Sequence, residues 1–303
     1  MNQGPYPDAK AVEMAIKAAA EKAHRADPSV RVNERIRQAH FDRLLCRVFS
    51  GGDASEWILK GGTGVLARVP NARATKDIDL YRYGYPLNTA VKELQRLARI
   101  DLGDHFRFEY LAHEESIGGD QQPYTAGYRV TFETYLGAKR LQQIRVDLVA
   151  GLGEIEAIDV AEPANRIDLP RLVTHPYRLY PVVNQIADKV CATLATYSTG
   201  TSSRERDLVD LVVLALTQIV DAQGLRRAIV SEAHRRGLGN VRTLAIPSSW
   251  GKSYAKMAAT TPSCATHPRV EDAEELMAIF IDAILGDEGT LTTWDPASQS
   301  WQN

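Results

Sequence analysis

Apolar and polar positions change period twice between Trp57 and Tyr83. Trp57-Ile58-Leu59 is a short apolar run that stops at Gly61-Gly62, as a strand does at a sharp turn. Thr63 then opens a helical stretch through Val65, Leu66 and Val69, which Pro70 ends. After a loop over 70–75, Lys76-Asp77-Ile78-Asp79-Leu80 alternates again, with Ile78 and Leu80 on the buried face of a second strand. Upstream, residues 8–26 are alanine-rich with lysine and glutamate, a helix by propensity broken at Asp27-Pro28. Arg31–Phe49 is a second helix with Ile36, Phe41, Leu44, Leu45 and Val48 on its apolar side. Downstream, Thr89–Ile100 is amphipathic through Val91, Leu94, Leu97 and Ala98 and would cover a sheet. Phe106, Phe108 and Tyr110 alternate as a strand, as do Tyr128, Val130 and Phe132, and then Ile144, Val146 and Leu148.

Beyond residue 150 the pattern changes. Pro163, Pro170, Pro176 and Pro181 mark an extended crossing segment, after which every strong period is helical. Gln185–Tyr197 places Ile186, Val190 and Leu194 on one side, and Ser202 to Glu205 reads as a capping box that starts the next helix. Gly224–Leu238 is a further, basic helix, and Glu271–Leu285 is acidic and amphipathic. Residues 287–303 carry few apolar groups and read as a mobile tail. The fold class expected is α/β: a first domain over 1–170 with a small mixed sheet, then a helical domain over 171–303, with the active site in the cleft between them.

The candidate chemistry gathers in the first stretch. Residues i and i+2 of a strand share a face, so Asp77 and Asp79 emerge roughly 6–7 Å apart at Cα. Two carboxylates held so close repel unless a cation joins them, and hard oxygen ligands beside a phosphate suit Mg²⁺. The turn at Gly61, Gly62 and Thr63 opens a helix whose N–H groups favour a phosphate. Asp147 is a carboxylate in mid-strand, where aspartate is disfavoured; its alternative is a surface salt bridge with Arg145. Lys189 lies next to the apolar stripe of its helix and needs an anionic partner or must snorkel out. In Arg204-Glu205-Arg206-Asp207-Leu208-Val209-Asp210, helical spacing pairs Arg204 with Asp207 and Arg206 with Asp210. Two helices are arginine-rich, one through Arg31, Arg35, Arg37, Arg43 and Arg47, the other through Arg226, Arg227, Arg235 and Arg236. They read either as solvated faces or as surfaces for a phosphate backbone.

Composition narrows this little. The chain has 303 residues, is 44% hydrophobic and 24% charged, and carries a net charge of −2, so nucleic-acid binding would rest on local patches. Cys46, Cys191 and Cys264 form no metal spacing, and Cys46 and Cys191 sit among apolar neighbours. With no membrane-length apolar run and no signal-peptide pattern, a cytoplasmic protein with no membrane contact is expected.

GGT, a spacer from Gly64 to Lys76 and then Asp77-x-Asp79 resemble the signature of the minimal nucleotidyltransferase fold. LKGGT…ATKDIDL resembles in particular the AbiEii/AbiGii-type nucleotidyltransferase toxins, including the mycobacterial toxins that modify tRNA; Lys189 followed by Arg204-x-Arg206-Asp207-x-x-Asp210 extends the likeness. Pro247-x-x-Trp250-x-x-x-Tyr254 resembles a further element of the family, or is ordinary core. The resemblance implies a polymerase-β-like lobe with Mg²⁺ (or Mn²⁺) on Asp77, Asp79 and Asp147. It implies a nucleoside triphosphate held by Gly61, Gly62, Thr63, Thr75, Lys189 and Arg204. Catalysis is expected from Asp77, Asp79 and Lys189 with Asp207 or Asp210, the choice between these two being open. It further implies an RNA acceptor, foremost the tRNA 3′ end, and a cognate antitoxin. A transferase acting on a protein or small molecule, or a binding protein on the same scaffold, remains the alternative.

Overall fold

A computed structural model describes residues 4–115, 127–151, 157–195, 204–286 and 289–303. Two compact units account for them: Met1–Pro70 with Ala74–Tyr180, and Pro181–Asn303 with Asn71–Arg73. The sequence reading placed the change at 170/171; strand pairing carries the first unit to Tyr180, because Leu179 pairs with Leu59 and Tyr180 N donates to Leu59 O at 2.9 Å.

In the first unit, α1 (Ala9–Ala26) and α2 (Val32–Val48) precede β1 (Trp57–Lys60), α3 (Gly61–Arg68), β2 (Ile78–Tyr83) and α4 (Leu87–Ala98). Then come β3 (Phe106–Glu115), β4 (Gly127–Leu136), β5 (Lys139–Arg140), β6 (Ile144–Gly151), β7 (Asp159–Ala161) and β8 (Tyr177–Leu179). They form a mixed sheet in the order β3-β4-β6-β2-β1-β8-β7, with β5 added to β4. At its centre β2 runs parallel to β6 and antiparallel to β1. Ile78, Leu80, Val146 and Leu148, all fully buried, form the inner face, as the alternation requires. Phe41, Leu44, Leu45 and Val48 of α2 and Val91, Leu94 and Leu97 of α4 join the same core.

The second unit comprises α5 (Val182–Leu194), α6 (Glu205–Thr217), β9 (Val220–Asp221), α7 (Ala222–Arg235), α8 (Gly251–Ala258) and α9 (Val270–Met277). A π-helical segment, Ala278–Asp282, joins α9 to α10 (Ala283–Gly286), and β10 (Thr293–Asp295) and β11 (Ser300–Trp301) follow. Leu208, Val209 and Leu211–Ala215 are wholly buried, so α6 is the central helix of this core. Ser202, the expected capping residue, lies outside the described residues. Trp250 and Tyr254 are core: both are buried, and Tyr254 Oη donates to His267 O at 2.9 Å.

The expected C-terminal tail is instead a hairpin. β10 pairs with β9 on one side and β11 on the other, with Trp294 opposite both Val220 and Trp301. Trp294 is fully buried, packs with its ring 4.7 Å from that of Phe280 at a tilt of 51°, and donates Nε1–H to Ala215 O at 2.7 Å. Two indoles supply the area that a scarcity of aliphatic residues had hidden. The three cysteines are reduced and buried. Among the described residues, no helix is long and apolar enough to cross a membrane.

Candidate active site on the first-unit sheet

Cross-strand partners share a face of a sheet, and here register assembles a charged row. Lys60 on β1 is opposite Asp79 on β2, Asp79 is opposite Asp147 on β6, and Asp147 is opposite Arg129 on β4. Asp77 precedes β2 two residues before Asp79, and Arg145 precedes Asp147 by the same step, so both sit on that face. The opposite face is buried apolar core, so these polar side chains have a single direction open to them.

The turn after β1 closes on the row. Gly61 has φ +59°, and a Cβ built there would lie 2.1 Å from Asp79 Oδ2. Only glycine allows both that backbone conformation and that approach, which sets the first turn of α3 against the Asp79 carboxylate. Thr63 Oγ1 donates to Asp77 O at 2.8 Å and Thr75 Oγ1 donates to the same oxygen at 3.2 Å. Both hydroxyls therefore bind the backbone that presents the carboxylates. Thr63 and Thr75 also border a small cavity whose charged lining is internally satisfied, Asp42 accepting from Arg166 Nε at 2.9 Å and Tyr177 Oη at 2.6 Å.

The carboxylates have arginine partners the sequence did not assign. Arg145 pairs with Asp77, its Nε donating to Oδ1 at 2.8 Å, and not with Asp147. Asp147 instead accepts a bidentate pair from Arg129, at 2.8 and 2.9 Å. Arg129 belongs to another strand, so only pairing register could have revealed it. Among the described residues, no group of three or more His, Cys, Asp or Glu side chains forms a metal cluster. The donor set nonetheless fits a divalent ion shared with a substrate: Asp77 and Asp79 supply carboxylates on one face, beside the N–H groups that open α3. Asp147 adjoins them, with both oxygens held by Arg129.

Lys189, Arg204, Asp207 and Asp210 gather in the second unit. Lys189 on α5 is buried, its Nζ 2.6 Å from Asp210 Oδ2 and 3.1 Å from Asp207 Oδ1 on α6. Burial opposes its charge, but the two carboxylates outweigh burial and raise its pKa above the ordinary lysine value. Arg73 adds a 2.7 Å pair to Asp210 Oδ2, and Arg204 lies 3.5 Å from Asp207. Asp210 is fully buried; burial alone would raise its pKa, and Lys189 and Arg73 hold it below the carboxylate range. The expected Arg206–Asp210 pair is not formed: Arg206 is exposed, while Asp210 turns into the core.

The basic face expected on α2 is largely interior. Arg43 and Arg47 are fully buried, and Asp104 accepts from Arg43 Nε at 2.9 Å and from Arg47 at 2.9 and 2.7 Å. Arg35 is buried too, with its Nη2 donating to Asp27 O at 2.8 Å, and Arg37 faces Glu34. On the other helix, Arg235 and Arg236 both pair with Glu232 and face Asp188.

No curated protein is similar enough to the chain to count as a relative. Among solved structures, JHP933 from Helicobacter pylori aligns over 82% of this chain and 90% of its own, at 15% identity and a TM-score of 0.38. A second H. pylori structure, described as a "putative nucleotidyltransferase", aligns over 86% of this chain and 89% of its own, at 16% identity and a TM-score of 0.35. The model of the family described as "Nucleotidyl transferase AbiEii toxin, Type IV TA system" matches residues 43–279, a span that holds Gly61, the carboxylate row and the Lys189–Asp210 cluster. This chain therefore belongs to the AbiEii family of nucleotidyltransferase toxins of type IV toxin–antitoxin systems.

Proposed function

We propose that this nucleotidyltransferase transfers a nucleotide from a nucleoside triphosphate to an RNA acceptor, the tRNA 3′ end first among candidates, and so blocks translation in the cytoplasm. The observation that carries the reading is the glycine turn closed on Asp79, with Asp77 and Asp147 beside it on one sheet face. In the reaction, an acceptor hydroxyl gives its proton to solvent and attacks the α-phosphorus, the bond from that phosphorus to the bridging oxygen of the β-phosphate breaks, and pyrophosphate leaves. Asp77 and Asp79 would hold Mg²⁺ (or Mn²⁺), with Asp147 as third ligand once Arg129 releases it. A metal ion bound there supplies charge neutralisation for the triphosphate and lowers the proton affinity of the hydroxyl. The N–H groups opening α3 at Gly61, Gly62 and Thr63 receive phosphate oxygens. Thr63 and Thr75 keep the backbone at Asp77 fixed while charge redistributes.

Lys189, expected at the triphosphate, has its ammonium committed to Asp210 and Asp207, so a phosphate would have only its third donor. We assign it the role of counter-ion that fixes both carboxylates, Asp207 being the less buried of the two at 14% exposed against 0% for Asp210. Membership in a toxin–antitoxin family supports a cognate antitoxin that restrains the activity. A protein or small-molecule acceptor is the second reading, favoured by the burial of Arg43 and Arg47, which leaves less basic surface for a polyanion. Incubating the protein with total tRNA and each labelled nucleoside triphosphate in turn tests the proposal. Mg²⁺-dependent label on RNA is expected; label on protein alone, or none on any RNA, would transfer the assignment to the second reading.

A further inference from the structure

Each outer carboxylate of the row carries its own arginine. Arg145 caps Asp77 at 2.8 Å with its side chain 49% exposed, and Arg129 grips both oxygens of Asp147 with its side chain 34% exposed. These are not core struts: both pairs reach solvent, with Asp77 30% and Asp147 19% exposed, and the singly bonded Arg145–Asp77 pair in particular contributes little to stability and opens at little cost. They lie on the face to which the nucleotide reading assigns the metal and triphosphate, and a guanidinium freed there is a strong, forked phosphate ligand.

Resting on that reading, we infer that Arg145 and Arg129 are exchangeable cations that close the carboxylate row to free divalent metal and turn to the triphosphate when metal and nucleotide arrive together. A free metal ion must compete with a guanidinium already on the carboxylate and then share the site with that positive charge. A metal–nucleotide complex brings phosphate oxygens to which the displaced guanidinium can move, so the charge is compensated. The arrangement therefore couples metal binding to nucleotide binding, and coupling of this kind is reciprocal. It also protects the site from taking up metal in the absence of substrate. Arg145 is the stronger lever, because it is the more exposed of the two and holds Asp77 through one hydrogen bond, where Arg129 holds Asp147 through two.

The test is Mn²⁺ binding, followed by electron paramagnetic resonance, with and without the α,β-methylene analogues of ATP, CTP, GTP and UTP. Wild-type protein should bind Mn²⁺ alone weakly and bind it far more tightly beside an accepted analogue. Arg145→Gln removes a competing charge, so Mn²⁺ alone should bind about two- to five-fold tighter, the size of one exposed ion pair. The tightening of Mn²⁺ by the analogue should shrink by a similar factor, and Arg145→Lys should behave nearly as wild type. Arg129→Gln should act in the same direction. Unchanged Mn²⁺ affinity in both glutamine variants, while wild type still binds Mn²⁺ with an analogue, would overturn the inference and leave the nucleotide reading intact. Failure of wild-type protein to bind Mn²⁺ with any analogue would remove the reading on which it rests.

Discussion

At the scale of single residues, Gly61 has the least freedom of any position in the site. Any side chain there meets Asp79 and must also adopt a positive φ. Gly61→Ala should therefore displace the carboxylate by about an ångström and lower transfer activity about a hundredfold or more, since misplacements of that size cost on this order. Circular dichroism should remain native-like, because Gly61 is half-buried at the mouth of the site and not in the core. Normal activity in Gly61→Ala would detach the turn from the chemistry. This part of the site was legible in the sequence, because GGT and Asp77-x-Asp79 state their geometry through local spacing. The arginines on the carboxylates were not. The partners Arg129–Asp147 are joined by register between β4 and β6, and no local period reports register.

At the scale of elements, helix α2 shows where a sequence pattern misleads. Its arginines fall outside the apolar stripe and read as surface, yet Arg43 and Arg47 enter the core because one distant carboxylate, Asp104, accepts from both. Burial would raise the pKa of Asp104, but Arg47 and Arg43 hold it below the ordinary range, so the group stays ionised. Asp104→Ala would leave the Arg47 guanidinium buried without an anion and Arg43 with Asp42 alone, 3.3 Å away, and should cost about 3–5 kcal/mol of stability, measurable by urea unfolding. A loss below about 1 kcal/mol would mean that the pair is hydrated in solution.

The same helix carries a pH dependence. Burial lowers the pKa of His40 from 6.5 to about 4, so the folded state keeps the imidazole neutral while the unfolded chain protonates it. Between those values the unfolded state binds more protons, and stability should fall as pH drops from about 6.5 towards 4. Urea midpoints of wild type and His40→Phe across that window check this, with a flatter profile expected for the variant; parallel profiles would contradict it. The C-terminal hairpin escaped the sequence for a related reason. Trp294 is one residue in a polar stretch, and its burial depends on β9, Phe280 and Ala215, all distant in sequence.

At the scale of the whole molecule, the α/β character of the first unit and the helical character of the second followed from the change of period after residue 150. The chain's own division is set by the pairing of β8 with β1, a contact that proline spacing could not locate. In the second unit, Lys189, Arg73, Asp207 and Asp210 form one ion cluster around α6. Lys189→Met should strand Asp210 with Arg73 alone and destabilise this unit by about 3–5 kcal/mol, as removal of one member of a buried pair does. Lys189→Arg should restore part of the stability, because a guanidinium keeps the charge but not the compact fit. Full stability in Lys189→Met, with activity abolished, would instead return the lysine to the triphosphate.

The central claim is that the carboxylates beside the glycine turn perform nucleotidyl transfer, and Asp79→Asn tests it most directly, removing one charge while preserving shape. With the acceptor RNA and nucleoside triphosphate that wild type labels, Mg²⁺-dependent transfer by Asp79→Asn should fall by about two orders of magnitude or more, at unchanged unfolding midpoint. Label incorporated by Asp79→Asn at the wild-type rate would contradict the account.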